Sequence, residues 1–164
     1  MKSGAERDAQ VEAGVREHLQ PGEAFRAAAW VSRSDGQAGA GMSRAEMSPW
    51  RFRRPTSQRP GARRGVNGAP RSLAAGLDEH IRTVADPRVL ALTDQRLIVL
   101  SQRSGLFRRA SGPLSPRWEC PRAKLVSAGE KDGRLRLDFT DGSAVVLLTP
   151  TAQVQPFLTA AENA

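Results

Sequence analysis

Apolar and polar positions alternate through much of the second half of the chain, and that period of two predicts strands. Leu135, Leu137 and Phe139 alternate strictly with Arg134, Arg136 and Asp138, between turn signals at Lys131-Asp132-Gly133 and Asp141-Gly142, and residues 145–148 supply the returning strand. Residues 89–93 and 96–101 are two apolar runs separated by Asp94-Gln95, which is the pattern of another hairpin. Upstream, Phe25, Ala27, Ala29 and Val31 alternate with Arg26, Ala28 and Trp30 and predict a half-buried first strand. Trp118 and Cys120 alternate with Arg117 and Glu119, Leu125 and Val126 enter a further strand, and residues 104–116 read as a polar loop.

Helical spacing flanks these strands. Val11, Val15 and Leu19 fall at i, i+4, i+8, the narrow apolar stripe of an N-terminal helix within residues 1–20 that ends at Pro21-Gly22. Val154, Phe157, Leu158 and Ala161 fall at i, i+3, i+4, i+7 and predict a terminal helix with one face for the sheet, in which Pro156 sits in or near the first turn or kinks the helix. Leu73, Leu77, Ile81 and Val84 predict a third helix, stopped at Asp86-Pro87. The expected class is mainly β with flanking helices.

Between residues 34 and 72 periodicity disappears and Gly, Ser, Pro and Arg dominate, a composition that buries too little apolar surface to offset the entropy of ordering. Counted from Arg33 to Leu73, Arg33, Arg44, Arg51, Arg53, Arg54, Arg59, Arg63, Arg64 and Arg71 are opposed only by Asp35 and Glu46, so this segment carries +7 of the chain's net +8. Any electrostatic inference about partners therefore belongs to one segment. The organisation this implies is a single domain over residues 1–164, with a flexible Arg-rich insertion at 34–72 and a strand core plus C-terminal helix at 89–164. Without the insertion about 120 residues remain, well above the roughly 40 needed for unassisted folding.

The single Cys120 excludes an intramolecular disulfide and fits a reducing compartment. No apolar run approaches the roughly 20 residues that span a bilayer, and residues 1–10 lack the apolar centre of a secretion signal. The expected location is the cytoplasm, with peripheral attachment to the inner face of the membrane as an extension of the basic segment.

Three stretches carry a family resemblance: Leu19-Gln20-Pro21-Gly22-Glu23 ahead of a strand, Ala91-Leu92-Thr93-Asp94-Gln95-Arg96-Leu97-Ile98-Val99-Leu100, and Gly133-Arg134-Leu135-Arg136-Leu137-Asp138-Phe139-Thr140-Asp141-Gly142-Ser143. In order and spacing they resemble the "PGE … LTDxRL … GxLxLxFxDG" signature of small bacterial pleckstrin-homology-like proteins, many of them actinobacterial. The resemblance covers about two-thirds of the chain. It implies two near-orthogonal sheets forming a barrel, one mouth of which is closed by the C-terminal helix. It also implies a binding scaffold, and in eukaryotic members basic residues in the first inter-strand loop meet inositol phosphates. The long basic insertion after the first strand departs from the family pattern.

Candidate chemistry is concentrated in that insertion. Trp50-Arg51-Phe52-Arg53-Arg54, continued by Arg59, Arg63 and Arg64, interleaves rings with cations. That combination suits an anionic lipid surface or an acidic protein partner, because each Arg near such a membrane contributes about 1 kcal/mol and the rings can enter the interface. It also suits nucleic acid, through bidentate phosphate contacts and base stacking. A solvated loop, or one pinned back by Trp50 and Phe52, is the structural alternative. Cys120, on an alternating strand beside Trp118, reads as a small buried hydrophobe, and His18 and His80 are too few and too far apart in sequence to suggest a metal site. Residues 36–41 are Gly-rich but lack the lysine of a phosphate loop. Arg96, just after the Thr93-Asp94 turn, is expected to stabilise that turn. The sequence offers no constellation of nucleophile, base and orienting group, so a non-enzymatic binding or adaptor module without cofactor or metal is expected, with a protein partner or anionic membrane as its target, nucleic acid as the alternative and an enzyme as a remote one.

Overall fold

The computed structural model describes residues 3–33, 65–84, 86–102 and 113–163. Helix α1 (Gly4–Arg16) precedes β1 (Phe25–Arg33), followed by a two-residue strand β2 (Val66–Asn67), helix α2 (Leu73–Glu79), β3 (Arg88–Thr93), β4 (Arg96–Gln102), β5 (Leu114–Pro121), a 3₁₀ turn (Arg122–Lys124), β6 (Leu125–Lys131), β7 (Arg134–Phe139), β8 (Ala144–Leu148) and helix α3 (Thr151–Glu162). The strands form one antiparallel eight-stranded sheet in the order β5-β4-β3-β1-β8-β7-β6, with β2 added to β8. β1 joins the two halves: six of its first seven residues pair with β3, and Ser32 and Arg33 pair with Leu148 and Leu147 of β8. The barrel expected from the sequence does not close, because the edge strands β5 and β6 are not hydrogen-bonded to each other.

Both faces of the β1–β3–β4 region are covered. Ala29, Val31, Leu90, Leu92, Leu97 and Val99 face a central core that takes Leu135, Leu137 and Phe139 from β7, Leu77 and Ile81 from α2 and its following residues, and Phe157 from α3. The alternate residues Val89, Ala91, Ile98 and Leu100 face a second cluster, closed by Val15 with Val11 and Leu19 along the predicted stripe of α1. β3 and β4 therefore read as continuous apolar runs, as strands buried on both faces do. α2 packs on β5 and on β7–β8 while α3 packs on β1, β6 and β7, so each helix spans both halves of the sheet.

The turns follow their chemistry. Lys131 faces Arg134 across Asp132 (φ 53°) and Gly133 (φ 76°), two consecutive left-handed residues that match the right-handed twist of the flanking strands. Gly142 is also left-handed (φ 83°) in the turn between β7 and β8.

Several sequence expectations change. A register shift between Phe25 and Ala27 leaves Arg26 unmatched, a bulge that carries Phe25 to the α1 face with Ala28 and Trp30. The third helix ends at Glu79; the main-chain carbonyl of Arg82 instead accepts from the Arg33 amide at 2.8 Å, and Val84 is 56% exposed. The loop expected over 104–116 gives way to β5 from Leu114, which pairs with Gln102 and is buried against α1. Val66 and Asn67, within the stretch read as insertion, pair with Val145 and Ala144. Pro156 lies in the second turn of α3, where it has no N–H to give the Ala152 carbonyl.

Leu137 is fully buried on the inner face of β7 and Arg136 is on the outer face, paired with Asp138 at 2.9 Å. Leu137→Ala should cost about 2–5 kcal/mol in a urea titration by removing buried volume, whereas Arg136→Ala should leave the midpoint nearly unchanged. The reverse order would contradict this strand register.

Candidate functional site

The residues of the first two signature stretches meet at one end of the β1–β3–β4 region and hold it together. The Glu23 carboxylate, its side chain wholly buried, accepts from Arg96 Nε at 2.8 Å and Arg96 Nη2 at 3.0 Å, from the Gln20 amide at 2.8 Å and from the Thr93 hydroxyl at 2.6 Å. Thr93 Oγ1 in turn accepts from the amides of Gln95 and Arg96, which fixes the β3–β4 turn. Asp94 and Ala24 exchange two more bonds, Ala24 N–H to Asp94 Oδ1 and Asp94 N–H to Ala24 O. Arg96 also donates to the His18 carbonyl at 2.7 Å and to Glu119 of β5. Burial alone would raise the Glu23 pKa, but the bonds from Arg96, the Gln20 amide and Thr93 outweigh it and hold the carboxyl down at about 2. Arg96 therefore stabilises its turn, as expected, and much else besides.

The Asp141-Gly142-Ser143 turn has an equivalent task. Asp141 Oδ2 accepts from the Leu73 amide at 2.7 Å and Ser143 Oγ from the Ala74 amide at 3.1 Å, so with the Ser72 cap they satisfy the first amides of α2. The Ser143 hydroxyl and the amides of Leu73 and Ser143 hold the Asp141 carboxyl below its ordinary range. Cys120 is buried, and burial pushes its thiol up to about 11, well away from thiolate chemistry at neutral pH. His18 Nε2 lies 2.7 Å from the Leu114 carbonyl, in a structural contact. Among the described residues no three His, Cys, Asp or Glu side chains are grouped to hold a metal ion, and no helix is long and apolar enough to cross a membrane.

Cations gather at the opposite end of the sheet. Antiparallel pairing places the last residue of β1, the first of β3 and the last of β4 together: Val31 faces Arg88, and Val89 faces Leu100. Two basic stretches leave the sheet from this end. Residues 34–64 follow Arg33, and residues 103–112, with Arg103, Arg108 and Arg109, follow Gln102. Arg33 and Arg88 occupy the same face of neighbouring strands, and among the described residues the Nε of each is buried without a hydrogen-bond partner. Around them, Arg33 Nη2 reaches the Asp78 carbonyl at 3.5 Å, Arg88 meets Asp86 at 3.4 Å, and Arg82 Nη1 donates to the Glu79 carbonyl at 3.0 Å. Trp50, Arg51, Phe52, Arg53, Arg54, Arg59, Arg63 and Arg64 lie outside the described residues. Sequence reading missed Arg33 and Arg88 as site residues, since only strand register shows that residues 55 positions apart share one end of the sheet.

Compared with known proteins, the chain matches no family model, no curated protein and no solved structure.

Removing Arg96 leaves a buried carboxylate without its counter-ion, so Arg96→Met should cost about 3–5 kcal/mol near pH 7. Because the Glu23 pKa is depressed in the folded state, its stabilisation is complete above 4.5 and is lost as pH falls toward about 2. The stability gap between wild type and Arg96→Met in urea titrations should therefore narrow across that window. A gap of constant size from neutral pH to the acid side of the window would contradict the role given to this pair.

Proposed function

We infer that this protein is a non-enzymatic binding module of the pleckstrin-homology-like type that attaches to anionic surfaces, foremost membrane headgroups, through arginines at the β1–β3–β4 end. The observation that carries this reading is the common origin of two basic stretches beside Arg33 and Arg88. Guanidinium groups recognise phosphate or carboxylate in a bidentate fork, and the arginines of these two stretches supply such forks. The family type rests on the resemblance of the three sequence stretches, beside a mainly antiparallel sheet with a C-terminal helix. Residues of the signature, by contrast, are engaged in structural hydrogen bonds, which directs attention away from them as ligand contacts. Within residues 34–64, Trp50, Arg51, Phe52, Arg53, Arg54, Arg59, Arg63 and Arg64 supply the combination of charge and ring surface that an anionic bilayer rewards. The same arginines make nucleic acid the competing ligand.

The test replaces Arg51, Arg53, Arg54, Arg63 and Arg64 with Gln. Wild type should cosediment with phosphatidylserine-containing vesicles at physiological salt, where the Debye length is about 8 Å. The five-fold variant should lose that binding with an unchanged thermal midpoint, and Trp50→Ala with Phe52→Ala should weaken it. Retention of wild type on single-stranded or duplex DNA but not on vesicles would replace the membrane reading with the nucleic-acid one. Unaltered vesicle binding by the five-fold variant would exclude the Arg-rich segment as the attachment site.

A further inference from the structure

β1 is paired on one side only over much of its length. Trp30 donates its main-chain N–H to Gln153 Oε1 at 2.9 Å, away from β3, so Trp30 and Val89 form a non-hydrogen-bonded pair. By the strand's period of two, the N–H and C=O of Ala28 and the C=O of Trp30 also point away from β3. β8 is the strand that would meet them, and it stops short for a local reason. In the register that places Ser32 opposite Leu148, the residue facing Trp30 is Pro150, which has no N–H, and the chain turns there into α3. Gln153 fills one position: its side-chain amide accepts from Trp30 and donates from Nε2 to Asp8 Oδ1 at 3.1 Å, as a peptide group of an added strand would accept and donate. Beside it lies a cleft of ≈ 230 Å³ between α1, β1 and α3, lined by Asp8, Glu12, Ala28, Trp30 and Pro156 among others.

We propose that this edge of β1 is a strand-addition site for an extended basic peptide segment of a protein partner, entering antiparallel to β1 where β8 leaves off. Unpaired edge groups are a template for a further strand, and main-chain bonds supply the affinity in such complexes. The occupant's charge follows from the rim, where Asp8 and Glu12 on one face of α1 are opposed by Arg26 alone among the lining side chains, with Glu12 also held by Arg16 at 2.6 Å. On the α1 face its side chains find room because β1 presents the small Ala28 there, whereas Ala29 turns into the central core. The site is separate from the cationic end of the sheet and does not depend on the reading proposed for it.

The probe is an acetylated and amidated alternating lysine–valine hexapeptide, titrated into the ¹⁵N-labelled full chain. The amide signals of Ala28 and Trp30 should shift and saturate. The same peptide N-methylated at alternate residues keeps its charge but loses one row of ladder donors, and should bind about tenfold or more weakly, as loss of a little over one hydrogen bond would give. Ala28→Pro removes an N–H that β3 does not use and should weaken binding by a similar factor. If that variant fails to fold, the N-methylated peptide still decides the matter with the protein unchanged. The variant with Arg51, Arg53, Arg54, Arg63 and Arg64 changed to Gln should bind the peptide as wild type does. Equal affinity for the methylated and unmethylated peptides, or no saturable shift at Ala28 and Trp30 up to millimolar peptide, would overturn the proposal.

Discussion

One buried carboxylate organises the fold. Glu23 lies in the connection between α1 and β1, and its two oxygens collect donors from Gln20, Thr93 and Arg96. Arg96 then reaches the end of α1 through the His18 carbonyl and the edge strand β5 through Glu119. Four elements thus meet on a single ion pair. A buried pair of this kind gains little over an apolar replacement, but it is costly to break on one side and it admits few alternative arrangements. Its position dictates the register of β1 on β3 and of β3 on β4, because Thr93 and Asp94 take part in the same turn.

β1 is the second constraint. It belongs to both halves of the sheet, and the change of partner at Ser32 gives the two ends of the molecule different characters. At the Glu23 end Glu23, Thr93, Asp94 and Arg96 satisfy one another, although the Nε of Arg122, beside Gln95, is buried without a partner among the described residues. At the Arg33 end two basic stretches follow β1 and β4, the strands on either side of β3, and among the described residues the buried Nε atoms of Arg33 and Arg88 have no partner. Closure of structure at one end and surplus charge at the other is the arrangement expected of a scaffold that presents its loops. Between the ends, termination of β8 by Pro150 leaves part of the β1 edge to helix α3 and the Gln153 amide.

Much of this was legible from residue pattern alone. The β6–β7 and β3–β4 hairpins follow from Asp132-Gly133 and Asp94-Gln95 between alternating or apolar runs, and both terminal helices follow from their stripes. What escaped was set by tertiary context. The bulge at Arg26 rotates Phe25 to the other face, which no alternation count reveals. α2 is shorter than its apolar spacing because Arg82 is drawn into main-chain pairing with Arg33. Leu114 enters β5 because α1 covers it, and an outer-face helix is invisible to a pattern that assumes one buried side. For the site, the sequence identified charge but could not place it. The approach of Arg33 and Arg88, and the shared end of the two basic stretches, depend on strand register.

Hydrogen exchange with and without phosphatidylserine-containing vesicles at physiological salt tests the polarity of the molecule most directly. Attachment through the cationic end should slow exchange at Ser32, Arg33, Arg88, Ser101 and Gln102, and leave Ala24, Asp94, Gln95 and Arg96 at the Glu23 end unaffected. Protection centred on Ala24 and Arg96, with none at Arg33, Arg88 and Gln102, would contradict the assignment of binding to one end and structural closure to the other.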